Sequence, residues 1–150
     1  MTLYCATSNR GKLREFQDVS GEIEIAVLPG LQTIPPPEET GATFEENATL
    51  KAVYYSRFAP GLVFADDSGL AVDALGGLPG VRSARFSPDA TDDANNRLLL
   101  QLLRGIERRS ARFLCVIALA QSGQLVRTFQ GAVEGRIIDT PRGDQGFGYD

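Results

Sequence analysis

Apolar residues in this chain recur in blocks that switch between the two-residue period of a strand and the 3.6-residue period of a helix. Thr2 to Ala6 predicts a first strand. The polar loop Thr7-Ser8-Asn9-Arg10-Gly11 then gives way at Lys12 to a helical pattern through Leu13, Phe16 and Val19. A short strand is expected at Glu24 to Leu28, and beyond it Pro35-Pro36-Pro37 stiffens the backbone and holds Glu38 and Glu39 in an extended arm. Thr43 with Glu46 three residues on is a capping box, and Phe44, Ala48, Lys51, Ala52, Tyr55 and Phe58 follow at helical spacing. Asn47 and Lys51, one turn apart, share a face of that helix with Phe44 and Tyr55.

The run Leu62-Val63-Phe64-Ala65 predicts a strand that stops at Asp66 and Asp67, where Ser68-Gly69 reads as a turn. Leu70, Val72 and Ala74 alternate with Ala71 and Asp73 as a second short strand would, and Gly76-Gly77-Leu78-Pro79-Gly80 reverses the chain. Arg82 and Arg85 flank Ser83. Thr91 caps a third helix through Leu98, Leu99, Leu102 and Leu103, which Gly105 ends. Arg112 to Ala120 and Leu125 to Val133 predict two strands joined around Ser122-Gly123, with a third at Gly135 to Ile138. Strands alternating with helices and then a meander make the fold class α/β.

With 150 residues and 43% apolar content, the chain is sized for one domain with a real core, spanning residues 1–150. A net charge of −4 without any Lys/Arg run argues against a nucleic-acid or anionic-membrane surface, and leaves single nucleotides open. No apolar run approaches the roughly 20 residues that span a bilayer, and the N-terminus has no basic segment followed by a long apolar one. A cytoplasmic protein is therefore expected. Cys5 and Cys115 fall in strand-like runs and read as buried reduced thiols. The absence of His removes Ser-His-Asp and Cys-His machinery and any His-ligated zinc, so proton chemistry falls to carboxylates, Lys, Tyr or metal-bound water.

Three features bear on chemistry. Thr7 to Lys12, between a strand and a helix N-terminus, is either an anion cradle or a plain strand-to-helix connection. It is not a P-loop, because Gly11-Lys12 is followed by Leu13 rather than Ser or Thr. Asp66-Asp67-Ser68-Gly69 is either a reactive carboxylate pair or a capped turn. Glu38 and Glu39 on the extended arm are a second acidic cluster, whereas Glu45 and Glu46 either complement the positive end of their helix or bind metal. Carboxylates beside polyphosphate repel it unless Mg²⁺ lies between them, so the three together point to phosphoanhydride hydrolysis, with the aromatics of the C-terminal loop stacking on a base.

TSNRGK, EETGATFEENATLKA, ADDSGLAVDALGGLPGVRSARF, RFLCVIAL, FQGAVEGRI and PRGDQGFGYD, in this order, resemble the successive motifs of the inosine triphosphate pyrophosphatase family. The resemblance covers the whole chain. It implies a long twisted mixed β-sheet flanked by helices, with two lobes and a central cleft. It also implies Mg²⁺-dependent hydrolysis of ITP, dITP and XTP to the monophosphate and pyrophosphate by a homodimer. By the same resemblance, Thr7, Ser8, Asn9, Arg10, Gly11 and Lys12 match a triphosphate-binding loop, and Glu38 matches a metal-binding glutamate with Glu39 beside it. Asp67 matches the carboxylate that binds metal and accepts the proton, Asp66 is its acidic neighbour, and Ser68, Lys51 and Arg85 match substrate contacts. Phe147, Gly148, Tyr149 and Asp150 match the loop flanking base and sugar.

Members of that family continue past the FGYD loop through a Lys and a Ser-His-Arg motif that help to recognise the base. This chain is expected to be a truncated one rather than a naturally short member. Two other readings stay open at this stage: a Maf-like pyrophosphatase of modified pyrimidine nucleotides, and a nucleotide-binding module without catalysis.

Overall fold

The computed structural model describes residues 1–150. Its secondary structure begins with strand β1 (Thr2–Cys5) and helix α1 (Arg10–Val19). Helix α1 starts two residues earlier than Lys12 because Asn9 caps it, its side chain accepting the Lys12 amide at 3.1 Å. Strand β2 (Glu24–Val27) follows, then helix α2 (Phe44–Ser56), strand β3 (Val63–Val72), helix α3 (Asp92–Leu102), and strands β4 (Ser110–Gln121) and β5 (Gln124–Arg136). Short 3₁₀ segments at Leu31–Thr33, Asp73–Leu75 and Gly80–Arg85 had no signal in the hydrophobic pattern.

The five strands form one sheet in the order β2-β1-β3-β4-β5. Strand β1 pairs in parallel with β2, Thr2 opposite Glu24 through Cys5 opposite Val27, and with β3, Tyr4 opposite Val63 and Cys5 opposite Phe64. Strands β4 and β5 form a hairpin whose two turn residues, Ser122 and Gly123, both have positive φ (51° and 80°), the conformation that matches strand twist. The sheet is therefore mixed, as expected.

Two predicted features change. Leu62 to Ala65 and Leu70 to Ala74 are not two strands about a turn; β3 runs unbroken through Asp66, Asp67, Ser68 and Gly69. The Ser-Gly pair marks a close approach instead: a Cβ on Gly69 would collide with the Ser83 hydroxyl and come within 2.6 Å of the Gly80 carbonyl. The Ser83 hydroxyl in turn accepts the Leu70 amide at 3.0 Å. Likewise the strand expected at Gly135 to Ile138 is absent as a separate element, because β5 extends to Arg136.

The chain forms two compact units, one of Met1–Asp67 with Val116–Gln130 and the other of Ser68–Cys115 with Gly131–Asp150. In the first, Ala48 and Ala52 of α2 are wholly buried among Ala6, Leu28, Val63 and Ala65. Alanines one turn apart give α2 a flat inner face, so its polar neighbours on the flanks of that face lie close to the sheet. In the second, Leu70 and Val72 of β3 pack with Leu99, Leu103 and Ala111. Cys5 is fully buried and Cys115 half-buried. No helix is long and apolar enough to cross a membrane.

Candidate functional site

In the first unit the charged residues assemble around Asp66 and Asp67. Both carboxylates are buried on β3, with relative exposures of 4% and 8%. Buried carboxylates require partners, and each has a different lysine. Lys12, in the first turn of α1, donates to Asp66 Oδ2 at 2.7 Å. Lys51, on α2, lies 3.6 Å from Asp67 Oδ1 and 3.2 Å from Glu39 Oε1. The second Asp67 oxygen, Oδ2, is buried without a hydrogen-bond partner. Burial pushes the Asp67 carboxyl above its usual range, opposed by the Lys51 ammonium, reinforced by the Glu39 charge, and drawn back by the Asn47 amide and Lys12.

The loop from Thr7 to Lys12 is ordered by its own side chains: Thr7 Oγ1 accepts the Asn9 amide at 3.2 Å, and Asn9 caps α1. Ser8, Asn9 and Arg10 are exposed, while Gly11 and Lys12 are half-buried. The helix start and its lysine are thus together, and the ammonium is engaged by Asp66 rather than free.

The acidic arm is anchored at several points. Tyr54 of α2 donates its hydroxyl to the Pro35 carbonyl, and Lys51 takes Glu39. Glu38 is exposed and lines a pocket with Pro37, Tyr54 and Arg57. Of the two glutamates, Glu39 is therefore the one that shares a cation with Asp67. After the arm, Gly41 is held by Asn47, whose Oδ1 accepts the Gly41 amide at 2.7 Å and whose Nδ2 donates to its carbonyl at 3.3 Å. The signal for Asn47 was visible as a polar residue on an otherwise apolar helix face, one turn before Lys51. The signal for Asp66 pairing with Lys12 was not, because the two lie 54 residues apart.

The remaining predicted residues belong to the second unit. Ser68 follows Asp67 on β3, half-buried, and Arg85 is exposed at the end of the Gly80–Arg85 segment. Phe147 to Asp150 form a turn closed on itself: the Phe147 amide donates to Asp150 Oδ2 at 3.2 Å and the Asp150 amide to the Phe147 carbonyl at 3.1 Å. Helix α3 holds this turn from below, with Asp92 accepting the Gly148 amide at 3.0 Å and Asn96 donating to the Gly148 carbonyl at 3.0 Å. Tyr149 donates its hydroxyl to the Ser83 carbonyl at 2.6 Å, and burial pushes its phenol up to about 12.

No group of three or more Cys, Asp and Glu side chains is arranged to hold a metal ion unaided. A hard cation such as Mg²⁺ takes one or two carboxylates and completes its shell with substrate phosphates and water. A buried carboxylate oxygen without a protein partner, with a second carboxylate across a shared lysine, fits that requirement.

A mixed sheet with two lysine-paired carboxylates at the centre of one strand defines an α/β protein with a charged, partly buried site. The chain belongs to the Ham1 family, whose model matches residues 3–150. It is 52% identical over 162 aligned positions to a dITP/XTP pyrophosphatase of Acidobacterium capsulatum, covering all of this chain and 80% of that protein. It is 46% identical to a dITP/XTP pyrophosphatase of an Exiguobacterium species, covering 78% of it. Among solved structures, the Staphylococcus aureus Ham1 protein superposes with a TM-score of 0.84 at 38% identity, and the Coxiella burnetii HAM1 protein with 0.85 at 38%; each match covers the whole chain and 79% of the other.

Proposed function

We infer that this protein hydrolyses non-standard purine nucleoside triphosphates of the dITP, XTP and ITP class to the nucleoside monophosphate and pyrophosphate. The observation that carries this reading is the identity of 52%, over its full length, to a protein named for that activity. The geometry supplies a means of catalysis that agrees with it.

Water attacks the α-phosphorus, a new P–O bond forms, the bond to the bridging oxygen between α and β phosphorus breaks, and pyrophosphate leaves. Asp67 is the residue suited to accept the proton from that water, since its carboxyl is raised by burial and its Oδ2 is unengaged. Asp66 serves as the counter-charge that fixes Lys12 at the start of α1, where the ammonium and the positive end of the helix receive phosphate. Lys51 holds Glu39 and Asp67 together. Mg²⁺ is the proposed cofactor; Asp67 and the Glu38-Glu39 arm would hold it, and when bound it supplies neutralisation of the phosphate charge and a more acidic water. Ser68, Arg85 and Phe147 to Asp150 are assigned to the nucleotide on the family resemblance, as are a homodimeric state and a cytoplasmic location.

The deciding experiment incubates the protein with dITP, XTP, ITP, GTP, ATP and UTP in Mg²⁺ and measures pyrophosphate and orthophosphate separately. Pyrophosphate released preferentially from the deaminated purines is expected. Orthophosphate alone, equal rates on all six, or faster turnover of UTP would overturn the reading.

A further inference from the structure

Helix α2 is joined to the acidic arm by more than Lys51. Asn47, at 1% exposure, is among the most buried polar residues of the protein; its side chain engages both the amide and the carbonyl of one residue, Gly41, and its amide also faces the Asp67 carboxylate. The next amide, that of Ala42, is taken by Glu46 Oε2 at 2.7 Å, and the helix itself starts on Thr43. Gly41 and Ala42 are thus stitched to the first turn and a half of α2, immediately after Glu39 and Thr40. The fit is close: a Cβ on Gly41 would come within 2.6 Å of Asn47 Oδ1 and 2.7 Å of the Glu46 Cβ.

An ordinary helix cap does not require this. Thr43 already accepts the Glu46 amide at 3.1 Å, and the Asn47 main-chain amide is satisfied by the Thr43 carbonyl at 3.2 Å. What the side chain of Asn47 adds is a fixed exit for the backbone that bears Glu39. One turn further along the same helix, Lys51 meets the Glu39 and Asp67 carboxylates. A bidentate amide clamp has a single geometry, so the start of the arm cannot rotate about Gly41 without breaking both bonds.

We propose that Asn47 is a positioning residue: by clamping Gly41 on both its amide and its carbonyl, it sets the placement of Glu39 relative to Asp67 and so the cation affinity of the carboxylate pair. The inference rests on the reading that these carboxylates bind the divalent cation of a nucleotide hydrolase. Residues that orient metal ligands without touching the metal typically change affinity by roughly 10- to 100-fold when removed.

The test uses two variants that break the same clamp from opposite sides, Asn47→Ala and Gly41→Ala, with Mn²⁺ as the probe. Mn²⁺ binding to nucleotide-free protein is followed by electron paramagnetic resonance, the Mg²⁺ concentration for half-maximal dITP hydrolysis is measured separately, and circular dichroism checks the fold. Both variants are expected to weaken Mn²⁺ binding and to raise the Mg²⁺ half-saturation by about 10-fold or more, with kcat at saturating Mg²⁺ recovering most of its value. A folded variant with lowered melting temperature but wild-type Mn²⁺ affinity and Mg²⁺ half-saturation gives Asn47 a purely structural role and overturns the inference while leaving the proposed activity intact. Should Asn47→Ala fail to fold, Asn47→Ser, which is uncharged and too short to reach both the amide and the carbonyl of Gly41, takes its place with the same criteria. A wild-type chain that hydrolyses nothing and binds no Mn²⁺ overturns the reading of the site and this inference with it.

Discussion

Lys12 Nζ lies 2.7 Å from Asp66 Oδ2, and Asp66 is 4% exposed. The lysine that the sequence offers as a phosphate ligand is therefore also the counter-ion of a buried carboxylate. Removing one member of such a pair leaves a desolvated charge and costs about 3–5 kcal/mol, with this half-open pair near the lower end. Lys12→Met is expected to lower Tm by roughly 6–12 °C and to weaken nucleotide binding. The double variant Lys12→Met/Asp66→Asn should recover a large part of the lost stability without recovering binding. Thermal melts of the single and double variants check this; a Lys12→Met protein as stable as wild type would mean that the pair contributes nothing to the fold.

Asp67 combines burial, a nearby Glu39 charge and an unpartnered oxygen, so its charged form works against folding. Asp67→Asn is expected to lower kcat by about 10²- to 10⁴-fold, the usual range for a lost proton acceptor. The same change should raise stability by about 1 kcal/mol, or roughly 2–4 °C in Tm for a domain of this size. Activity lost with no gain in Tm would show that Lys51 already balances the carboxylate in full.

Asp73 receives the Ser110 hydroxyl at 2.6 Å and Arg112 Nη1 at 3.2 Å, and Arg112 also donates to Glu134 at 2.9 Å. The Ser110 hydrogen bond is the larger cause and the Arg112 charge the smaller one that hold the Asp73 carboxyl below its ordinary 3.8. Because the folded state releases this proton more readily than the unfolded one, the associated stability is present above that ordinary value and disappears as pH falls through the lower folded value. The Tm difference between wild type and Asp73→Asn should therefore be constant from neutral pH down to about 5 and shrink below about 4. A difference that does not change between pH 7 and pH 2.5 would exclude Asp73 as a source of acid sensitivity.

Tyr149 remains a neutral donor at any physiological pH, with its phenol pushed up to about 12. Tyr149→Phe removes the bond to the Ser83 carbonyl, at a cost of about 1 kcal/mol. Amide exchange at Phe147 to Asp150 should speed up, while exchange at α3 stays as it was. Unchanged exchange in the loop would mean that Asp92 and Asn96 hold it by themselves.

The helices were legible because their ends carry explicit chemistry. Thr43 and Thr91 act as side-chain caps where the pattern places them, accepting the Glu46 and Ala94 amides. The middle of β3 was not, because two charged residues followed by Ser-Gly have the composition of a turn. Only the tertiary fold brings Lys12 and Lys51 to those carboxylates and presses Ser83 against Gly69, which turns a breaker signal into a strand interior. For the same reason, periodicity could name Glu38 and Glu39 as an acidic arm without telling which of them meets Lys51. Local rules single out Asn47 on its helix face but miss its partner Gly41, which lies before the helix rather than along it.

Cys5 closes β1 with its side chain fully buried, and burial pushes its thiol up to about 12. The thiolate, the form that reacts, is thus almost absent from the native state, and alkylation at this position waits for β1 to separate from its neighbours. The strand that leads into the Thr7–Lys12 loop therefore carries its own built-in reporter of opening. Mass-resolved pulses of iodoacetamide, read at Cys5 with and without nucleotide, would give the free energy of that opening directly. Labelling at the rate of a free cysteine would show that β1 opens far more often than its burial indicates.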